Sequence, residues 1–285
     1  MPKLSIVTIN FNNKCGLQST IESVLRQTYS EFEYIIIDGG SVDGSYELIQ
    51  QYYKNKRSKN TTKILYNKTI EDYPNPIPRI TYWISEPDKG IYDAMNKGIC
   101  IATGEIIGIL NSDDFYIDKY VIENVVKSFT DKNVDSLYTD LYLVDNENIN
   151  KIIRNCTYRE FKKGLFFKGW HPPHPSFFVK KEIYEKYGVF DLTYKIASDY
   201  DFMLRILEKN SISTNYLPIH TIKMRNGGAS TSSLERIRLS QKECLLAFER
   251  NNLKVNRVIY FLGKYTQKLR QYTFESLIDD FKSKF

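Results

Sequence analysis

Two adjacent carboxylates, Asp113 and Asp114, follow an apolar run that ends at Leu110. Neighbouring carboxylates repel one another, and their burial is unfavourable unless a cation or strong hydrogen-bond donors hold them. Carboxylate oxygens are good ligands for Mn²⁺ and Mg²⁺, which can bridge a diphosphate and neutralise the charge of a departing group. The alternative is structural, because Asp is a favoured N-cap residue and either side chain could cap a helix that begins before Tyr116.

Asp38 opens a second acidic segment, Asp38-Gly-Gly-Ser-Val-Asp-Gly44. A carboxylate at a strand end can accept the N3–H of a uracil ring, and the two glycines let the backbone approach a ligand closely. An ordinary glycine-rich turn with Asp43 as a helix cap would explain the same residues. The segment matches neither Gly-x-Gly-x-x-Gly nor Gly-x-x-x-x-Gly-Lys-Ser/Thr, so dinucleotide redox chemistry and P-loop hydrolysis lose their main support.

Asp199 begins a third segment, a predicted amphipathic helix over residues 199–209 whose apolar side chains would anchor it. A carboxylate fixed in this way can point into a cleft and act as a general base toward a hydroxyl group. An N-cap role is the alternative, and Asp201 could carry either role. His171 and His174 bracket two prolines, which excludes the helical spacing of a metalloprotease-type zinc pair and favours a structured loop on the acceptor side.

The elements that must position these residues alternate between strand and helix. Hydrophobic periodicity predicts strands over 4–10, 33–38, 80–85, 105–110 and 136–144, and helices over 16–26, 45–54, 91–102 and 199–209. Residues 55–78 are polar and predicted to form an excursion. The alternation predicts an α/β fold with a largely parallel sheet flanked by helices. Since ligands bind beyond the carboxyl ends of such strands, Asp38, Glu86-Pro-Asp-Lys-Gly90 and Asp113-Asp114 should meet at one edge.

The chain of 285 residues is 42% hydrophobic and 26% charged, which is typical of a globular protein. No apolar run is long enough for a signal peptide or a membrane-spanning helix, and the four cysteines are scattered. We therefore expect free thiols and a cytoplasmic protein, which could also lie on the inner face of the cell membrane.

The formal charge of +6 is concentrated near the C-terminus, because residues 223–285 contain 13 Lys or Arg and 6 Asp or Glu. We predict a basic, amphipathic helical tail over 229–285. Its helix either packs on the protein or lies on a membrane surface. The predicted apolar stripe comprises Val255, Val258, Leu262, Tyr265, Leu269 and Tyr272, flanked by Lys254, Arg257, Lys264 and Lys268.

Residues 3–230 resemble the family 2 glycosyltransferases of the GT-A fold. The order and spacing of several short motifs carry the resemblance: Lys3-Leu-Ser-Ile-Val-Thr-Ile-Asn-Phe-Asn12, Ser23-Val-Leu-Arg-Gln-Thr-Tyr29, Asp38 to Gly44, Ala102-Thr-Gly-Glu105, Asn111-Ser-Asp-Asp114, His174-Pro-Ser-Phe-Phe178 and Ser198-Asp-Tyr-Asp201. The stretch from Glu86 to Gly98 is similar to bacterial members that assemble capsule, lipopolysaccharide O-chains or exopolysaccharide.

The resemblance implies a role for each candidate residue. Asp114 would be the main ligand of Mn²⁺ or Mg²⁺, with Asp113 nearer the ribose, and Asp199 would be the general base. Asn111 and Ser198 depart from the acidic residues that many relatives have at these positions. The implied donor-binding residues are Thr8, Asn10, Phe11, Asp38, Asp88, Lys89, Asn96, Ser112 and Asp113.

The implied activity is a metal-dependent, inverting hexosyl- or N-acetylhexosaminyltransferase that uses a UDP-sugar. Its acceptor would be a hydroxyl of a saccharide or lipid-linked saccharide in surface polysaccharide assembly, with no nucleic-acid partner. Residues 1–228 would form the catalytic domain, with a donor half over about 1–115 and an acceptor half over about 116–228. The alternatives are a sugar nucleotidyltransferase, although its glycine-rich triphosphate loop is absent, and a non-catalytic sugar-binding protein on the same fold.

Overall fold

The computed structural model describes residues 3–54, 79–227 and 233–271. The first part contains β1 (Leu4–Asn10), α1 (Lys14–Leu25), β2 (Phe32–Asp38), α2 (Ser45–Lys54), β3 (Ile80–Ser85), α3 (Ile91–Ile101), β4 (Ile106–Asn111), β5 (Phe115–Tyr116) and α4 (Val121–Lys132). The second part contains β6 (Ser136–Val144), β7 (Ile152–Cys156), β8 (Phe177–Lys180), α5 (Lys181–Tyr187), α6 (Ser198–Met203), β9 (Thr214–Arg225), α7 (Leu234–Arg250) and α8 (Arg257–Arg270).

The first of two compact units comprises Met1–Asn133 together with Phe178–Tyr184. Its strands follow the order β3-β2-β1-β4-β8. The first four are parallel, and β8 pairs antiparallel with β4. β1 is buried along its whole length and β2 beyond its first residue, as expected for strands covered on both faces. The predicted parallel sheet is confirmed.

The second unit comprises Val134–Phe177 and Glu185–Phe285. Here β6 pairs antiparallel with β7 and parallel with β9. Helix α6 continues as a π-helical segment, Leu204–Lys209. The described part of the predicted tail contributes to the core of this unit, since Phe248 and Tyr260 are almost completely buried and their rings lie 5.7 Å apart.

Most predicted elements are present within a few residues of their predicted limits. The cap hypothesis for Asp113 and Asp114 is wrong, because β5 follows this turn and the next helix begins only at Val121. The predicted excursion over 55–78 lies outside the described residues. Among the described residues, no helix combines the length and the apolar character needed to cross a membrane. All four cysteines have free thiols, as predicted.

The described part of the tail contains the helices α7 and α8, and the predicted stripe falls mainly on α8. Side chains of the predicted stripe within α8 face solvent, and Tyr260, on another face of the helix, packs inward. Val255 precedes α8, and Tyr272 lies outside the described residues. The exposed fractions within α8 are 68% for Val258, 62% for Leu262, 55% for Tyr265 and 59% for Leu269.

Candidate functional site

Asp38 ends β2 and is completely buried in the first unit. Its Oδ1 accepts hydrogen bonds from Asn10 Nδ2 at 2.7 Å and Ser41 Oγ at 2.6 Å. Its Oδ2 accepts from Ser41 N at 3.0 Å and Ser85 Oγ at 2.5 Å. A carboxylate has about four lone-pair sites. In this conformation Asp38 therefore organises the ends of three strands, and accepting a base N–H would require exchanging one of these bonds.

The turn after Asp38 lies against Phe11 and Asp88. A Cβ added at Gly39 would stand 2.5 Å from Asp88 Oδ2 and 3.2 Å from Phe11 Cδ2, which only glycine avoids. Gly40 has a φ of +80° and approaches the backbone of Pro87. The Phe11 side chain is 64% exposed. The structure thus brings Phe11, Asp38 and Asp88 together at the carboxyl ends of the parallel strands, as the sequence predicted.

The turn after β4 carries the paired carboxylates. Asp114 N donates to Asn111 O at 3.0 Å, and Asn111 Nδ2 donates to Asp114 Oδ2 at 3.3 Å. The Thr20 hydroxyl donates to the Asp114 carbonyl at 2.6 Å, which fixes the turn on α1. Asp113 is half-buried, whereas Asp114 is 1% exposed and Ser112 is also buried. Asp113 is therefore the more exposed residue of the pair.

Three other predicted donor-binding residues, Thr8, Lys89 and Asn96, differ from one another in burial and location. Thr8 lies within β1, where it is completely buried and its hydroxyl pairs with that of Tyr34 at 3.1 Å. Lys89 is exposed, and its backbone N–H donates to Asp93 at 3.0 Å. Asn96 is half-buried on α3. The structure does not bring the Thr8 side chain to the surface where Phe11 and Asp88 lie.

In the second unit, the two carboxylates of the Ser198-Asp-Tyr-Asp201 motif have different surroundings. Asp201 is buried and accepts hydrogen bonds from Tyr194, Arg205 and Asn251 at 2.9–3.2 Å. Burial raises the pKa of Asp201, although Arg205 opposes this. Asp199 is half-buried in the first turn of α6. The structure favours Asp199 over Asp201 as the residue able to meet a ligand.

The backbone before Asp199 is held by a carboxylate from α7. Glu243 is 7% exposed and accepts three backbone hydrogen bonds. They come from Lys195 N at 2.9 Å, Ile196 N at 2.8 Å and Ala197 N at 2.9 Å. Ala197 is the N-cap residue of α6 and offers no side-chain cap. Glu243 thus satisfies N–H groups at the start of the helix that bears Asp199.

Two histidines lie in the electrostatic field of Asp199. Burial lowers the pKa of His171 and His174, and Lys264 lowers that of His171 further, while Asp199 partly counteracts the shift in both. Both imidazoles are therefore neutral near pH 7. His171 Nδ1 lies 2.8 Å from the Pro172 carbonyl, which can only accept, so this nitrogen carries the proton. The Nε2 atom of His171 is left as an acceptor.

Sequence reasoning missed several residues that hold the site in place. Ser85 was recognisable in principle, because it ends a predicted strand in register with Asp38. Ser41 lies inside the motif from Asp38 to Gly44, but the motif did not indicate a role for it. Glu243 and Asn251 gave no usable signal, since a single acidic or amide residue on a helix is ordinary.

Known proteins resemble the chain in sequence. The family model described as Glycosyl transferase family 2 matches residues 5–188. An uncharacterized glycosyltransferase of Mycobacterium tuberculosis is 32% identical over 206 residues, covering 72% of this chain and 68% of that protein. A PGL/p-HBAD biosynthesis glycosyltransferase of Mycobacterium bovis is 23% identical over 242 residues, covering 82% of each chain.

Solved structures resemble the chain in fold. TarS 1–349 of S. aureus in complex with UDP-GlcNAc has a TM-score of 0.63 at 14% identity, covering 92% of this chain and 70% of that one. The mannosyltransferase PcManGT from Pyrobaculum calidifontis, in complex with GDP-Man and Mn²⁺, has a TM-score of 0.60 at 16% identity, covering 93% and 70%. The predicted GT-A fold is confirmed. With the family match over residues 5–188 and the 32% identity to a relative, the chain belongs to glycosyl transferase family 2.

Proposed function

We propose that the chain transfers a hexosyl or N-acetylhexosaminyl group from a UDP-sugar to a hydroxyl of a saccharide or lipid-linked saccharide in surface polysaccharide assembly. The observation that carries this proposal is the alignment of four parallel strand ends. Asn10 pairs with Asp38, Asp38 with Ser85, and Ile9 with Asn111, so the polar loops that follow share one edge of the sheet. Parallel sheets bind nucleotides at such edges.

On the donor side, each group has a distinct task. The exposed Phe11 ring offers an apolar face to the base, and the glycines after Asp38 let the backbone approach the nucleoside. Asp88, Lys89 and Asn96 would border the nucleotide or the sugar. The two solved structures similar to this chain are complexes with UDP-GlcNAc and GDP-Man, which supports a nucleotide-sugar donor and makes GDP the alternative nucleotide.

The turn after β4 fits a divalent cation. Asp113 and Asp114 supply hard oxygen ligands, and buried Asn111 Oδ1 has no hydrogen-bond partner among the described residues. Those residues contain no cluster of three or more His, Cys, Asp or Glu side chains suited to metal binding. The protein would therefore supply two carboxylate ligands, mainly Asp113. The diphosphate and water would fill the other coordination positions of the metal. When bound, Mn²⁺ or Mg²⁺ would neutralise the negative charge on the departing diphosphate.

Asp199 is the proposed general base of a single displacement. It takes the proton from the acceptor hydroxyl as that oxygen bonds to the anomeric carbon and the bond to the diphosphate oxygen breaks. The transferred sugar consequently has an inverted anomeric configuration. Glu243 fixes the backbone from which Asp199 projects, and the neutral His171 adds no positive charge beside it.

The test is an assay of nucleoside diphosphate release. The protein is incubated with UDP-glucose, UDP-GlcNAc or GDP-mannose, in Mn²⁺ or in EDTA, first without an acceptor. We expect slow donor hydrolysis with UDP-sugars that needs the metal. Pyrophosphate release from UTP and a sugar 1-phosphate would instead identify a nucleotidyltransferase, and nucleotide binding without any turnover would identify a sugar-binding protein.

Asp199→Asn and Asp201→Asn separate the two carboxylates. Asp199→Asn should abolish transfer and leave nucleotide binding close to wild type, because a base acts on the acceptor and not on the donor. Asp201→Asn should lower the melting temperature, because the hydrogen bonds and ion pair around a buried carboxylate are lost. Near-full turnover by Asp199→Asn would show that the base has been misassigned.

We also propose that the protein is cytoplasmic and contacts the inner face of the cell membrane through α8. The helix exposes Val258, Leu262, Tyr265 and Leu269 on one face and carries Arg257, Lys264, Lys268 and Arg270. Each Lys or Arg near an anionic leaflet contributes about 1 kcal/mol. Such a contact would bring the enzyme to a lipid-linked acceptor.

A further inference from the structure

A cavity of about 290 Å³ lies in the second unit, between α8 and the segment from Thr157 to Trp170. Three of its lining residues are basic: Arg159, Lys168 and Arg270. The other walls include the Trp170 ring and the polar side chains of Thr266 and Gln267, and none of the described residues that line the cavity is Asp or Glu. None of these residues is among those that form the candidate donor or base positions.

The two walls of this cavity, α8 and the segment from Thr157 to Trp170, are in close contact. A Cβ on Gly263 would overlap the Lys168 carbonyl oxygen, so only glycine permits this approach of α8 to the turn before Gly169. At the end of α8, Gln271 Nε2 donates to the Thr157 carbonyl at 3.2 Å and Gln271 O accepts from Asn155 N at 3.2 Å. The backbone that carries the basic side chains is therefore held in place on both walls of the cavity.

The three basic side chains concentrate positive charge at the cavity. In the parts of the chain that the structure describes, no carboxylate forms an ion pair with Arg159, Lys168 or Arg270. The Arg159 guanidinium instead lies over the Trp170 ring, 6.0 Å from its centroid. Three like charges around one cavity repel one another, and an anion relieves that repulsion. Guanidinium groups suit phosphate in particular, because their N–H donors match two phosphate oxygens at once.

We propose that this cavity binds a phosphate ester. Arg159 and Arg270 bind the phosphate oxygens, Lys168 adds charge, and Thr266 and Gln267 offer hydrogen bonds. Trp170, against one wall, is available to an apolar or sugar portion of the ligand. The phosphate can come from a soluble ester or from a phospholipid headgroup, the latter because exposed Leu262 and Leu269 lie on the same helix. This inference does not depend on the proposed transferase reaction.

The chain provides its own reporter for the test, since Trp83 and Trp170 are its two tryptophans. In a Trp83→Phe background, Trp170 emission is followed during titration with inorganic phosphate or pyrophosphate in EDTA. Lys168→Gln with Arg270→Gln removes two cavity charges and keeps the contact between Arg159 and Trp170. Arg238→Gln with Lys242→Gln is the matched control, because both residues are exposed on α7 and the same side-chain types are exchanged.

We expect a saturable, salt-sensitive emission change whose midpoint rises about tenfold or more in the cavity variant and stays unchanged in the control. A second titration uses phosphatidylglycerol vesicles, with phosphatidylcholine vesicles for comparison. A response to the anionic vesicles that the cavity variant loses identifies a lipid headgroup, and a response to phosphate alone identifies a soluble ester. No saturable response to either probe, or an equal response in the cavity variant, overturns the proposal.

Discussion

Glu33 is a buried carboxylate of the first unit that joins three segments of the chain. It accepts hydrogen bonds from the Ser5 hydroxyl, from the backbone of Thr103 and Gly104, and from the Thr103 hydroxyl. Lys3 lies 3.5 Å away. Burial alone would raise the pKa of Glu33, but these hydrogen bonds together lower it below its ordinary value of 4.5. Thr103 and Gly104 of the Ala102-Thr-Gly-Glu105 motif thus hold the Glu33 carboxylate in place.

We predict that Glu33→Gln destabilises the protein by about 2 kcal/mol at neutral pH, because one amide oxygen cannot replace two carboxylate oxygens. The folded-state pKa is lowered, so the contribution is present above the unfolded pKa and is lost as pH falls through the folded value. The difference in melting temperature between wild type and variant should therefore shrink below about pH 4. A difference that does not change from pH 7 to pH 3 would contradict this assignment.

Asp113 and Asp114 should give different results when each is changed to Asn. Asp113→Asn should remove most of the extra thermal stabilisation that Mn²⁺ gives to the UDP complex and leave the melting temperature without ligand nearly unchanged, because Asp113 is half-buried. Asp114→Asn should lower the melting temperature without ligand, because its carboxylate is buried beside Asn111. Equal stabilisation of wild type by UDP in Mn²⁺ and in EDTA would count against the metal site.

Residue types and spacing were enough to predict Asp38, Asp88 and Asp113 at one edge, because each follows a strand of high apolar content. They did not predict that Asp38 is saturated with hydrogen bonds, because the Ser41 and Ser85 hydroxyls reach it only after three strands are in register. They also did not predict that Asp114 is buried and Asp113 half-buried, because neighbouring identical residues carry no burial signal.

At the scale of elements, α7 is the support of the segment that bears Asp199. Glu243→Gln should lower kcat roughly ten- to hundredfold, because a displacement of about 1 Å at a catalytic group has effects of that size. Gln cannot accept three N–H groups without turning its own N–H₂ toward one of them. The thermal shift with UDP and Mn²⁺ should remain, since it depends on residues of the first unit.

The control for this prediction is Glu249→Gln, an exposed carboxylate on the same helix. Glu243→Asp, which keeps both oxygens, should recover part of the kcat. A role in stability alone would change the melting temperature of Glu243→Gln and leave kcat per folded molecule at the wild-type value.

Periodicity predicted the strands and helices of the first unit well, because their apolar runs are continuous. It gave no specific prediction for α7, because the burial of this helix depends on a few positions, among them Cys244, Ala247 and Phe248, within a mostly polar sequence. The stripe on α8 was correctly identified as one helical face. Its exposure could not be predicted, since the close approach at Gly169 and Gly263 selects another face for packing.

At the scale of the whole molecule, we predict that α8 binds anionic membranes. Deleting residues 229–285 would remove Phe248 and Tyr260 from the core, so point variants are the sharper test. Leu262→Ser with Leu269→Ser should reduce co-sedimentation with anionic vesicles at low salt by roughly tenfold or more. Leu192→Ser with Leu234→Ser is the control, because these leucines are 47% and 64% exposed elsewhere in the second unit.

Wild-type protein that stays in the supernatant, or equal sedimentation by both double variants, would remove membrane contact from the proposal. Higher salt should weaken the contact, because ionic screening acts on the basic side chains around the apolar stripe.

The first unit is built from two separate stretches of sequence, and this has a consequence for fragments and nascent chains. β8 covers the outer side of β4, and the Phe178 ring lies against Gly108, where a Cβ would stand 2.5 Å from it. A chain that stops at Asn133 has β1 to β4 but lacks β8, so β4 is left as an open edge that can pair with another molecule. During synthesis the same edge stays uncovered until Phe178 has left the ribosome, about 45 residues after the rest of the unit. An excised first unit should therefore carry residues 178–184 grafted on, or it will tend to aggregate.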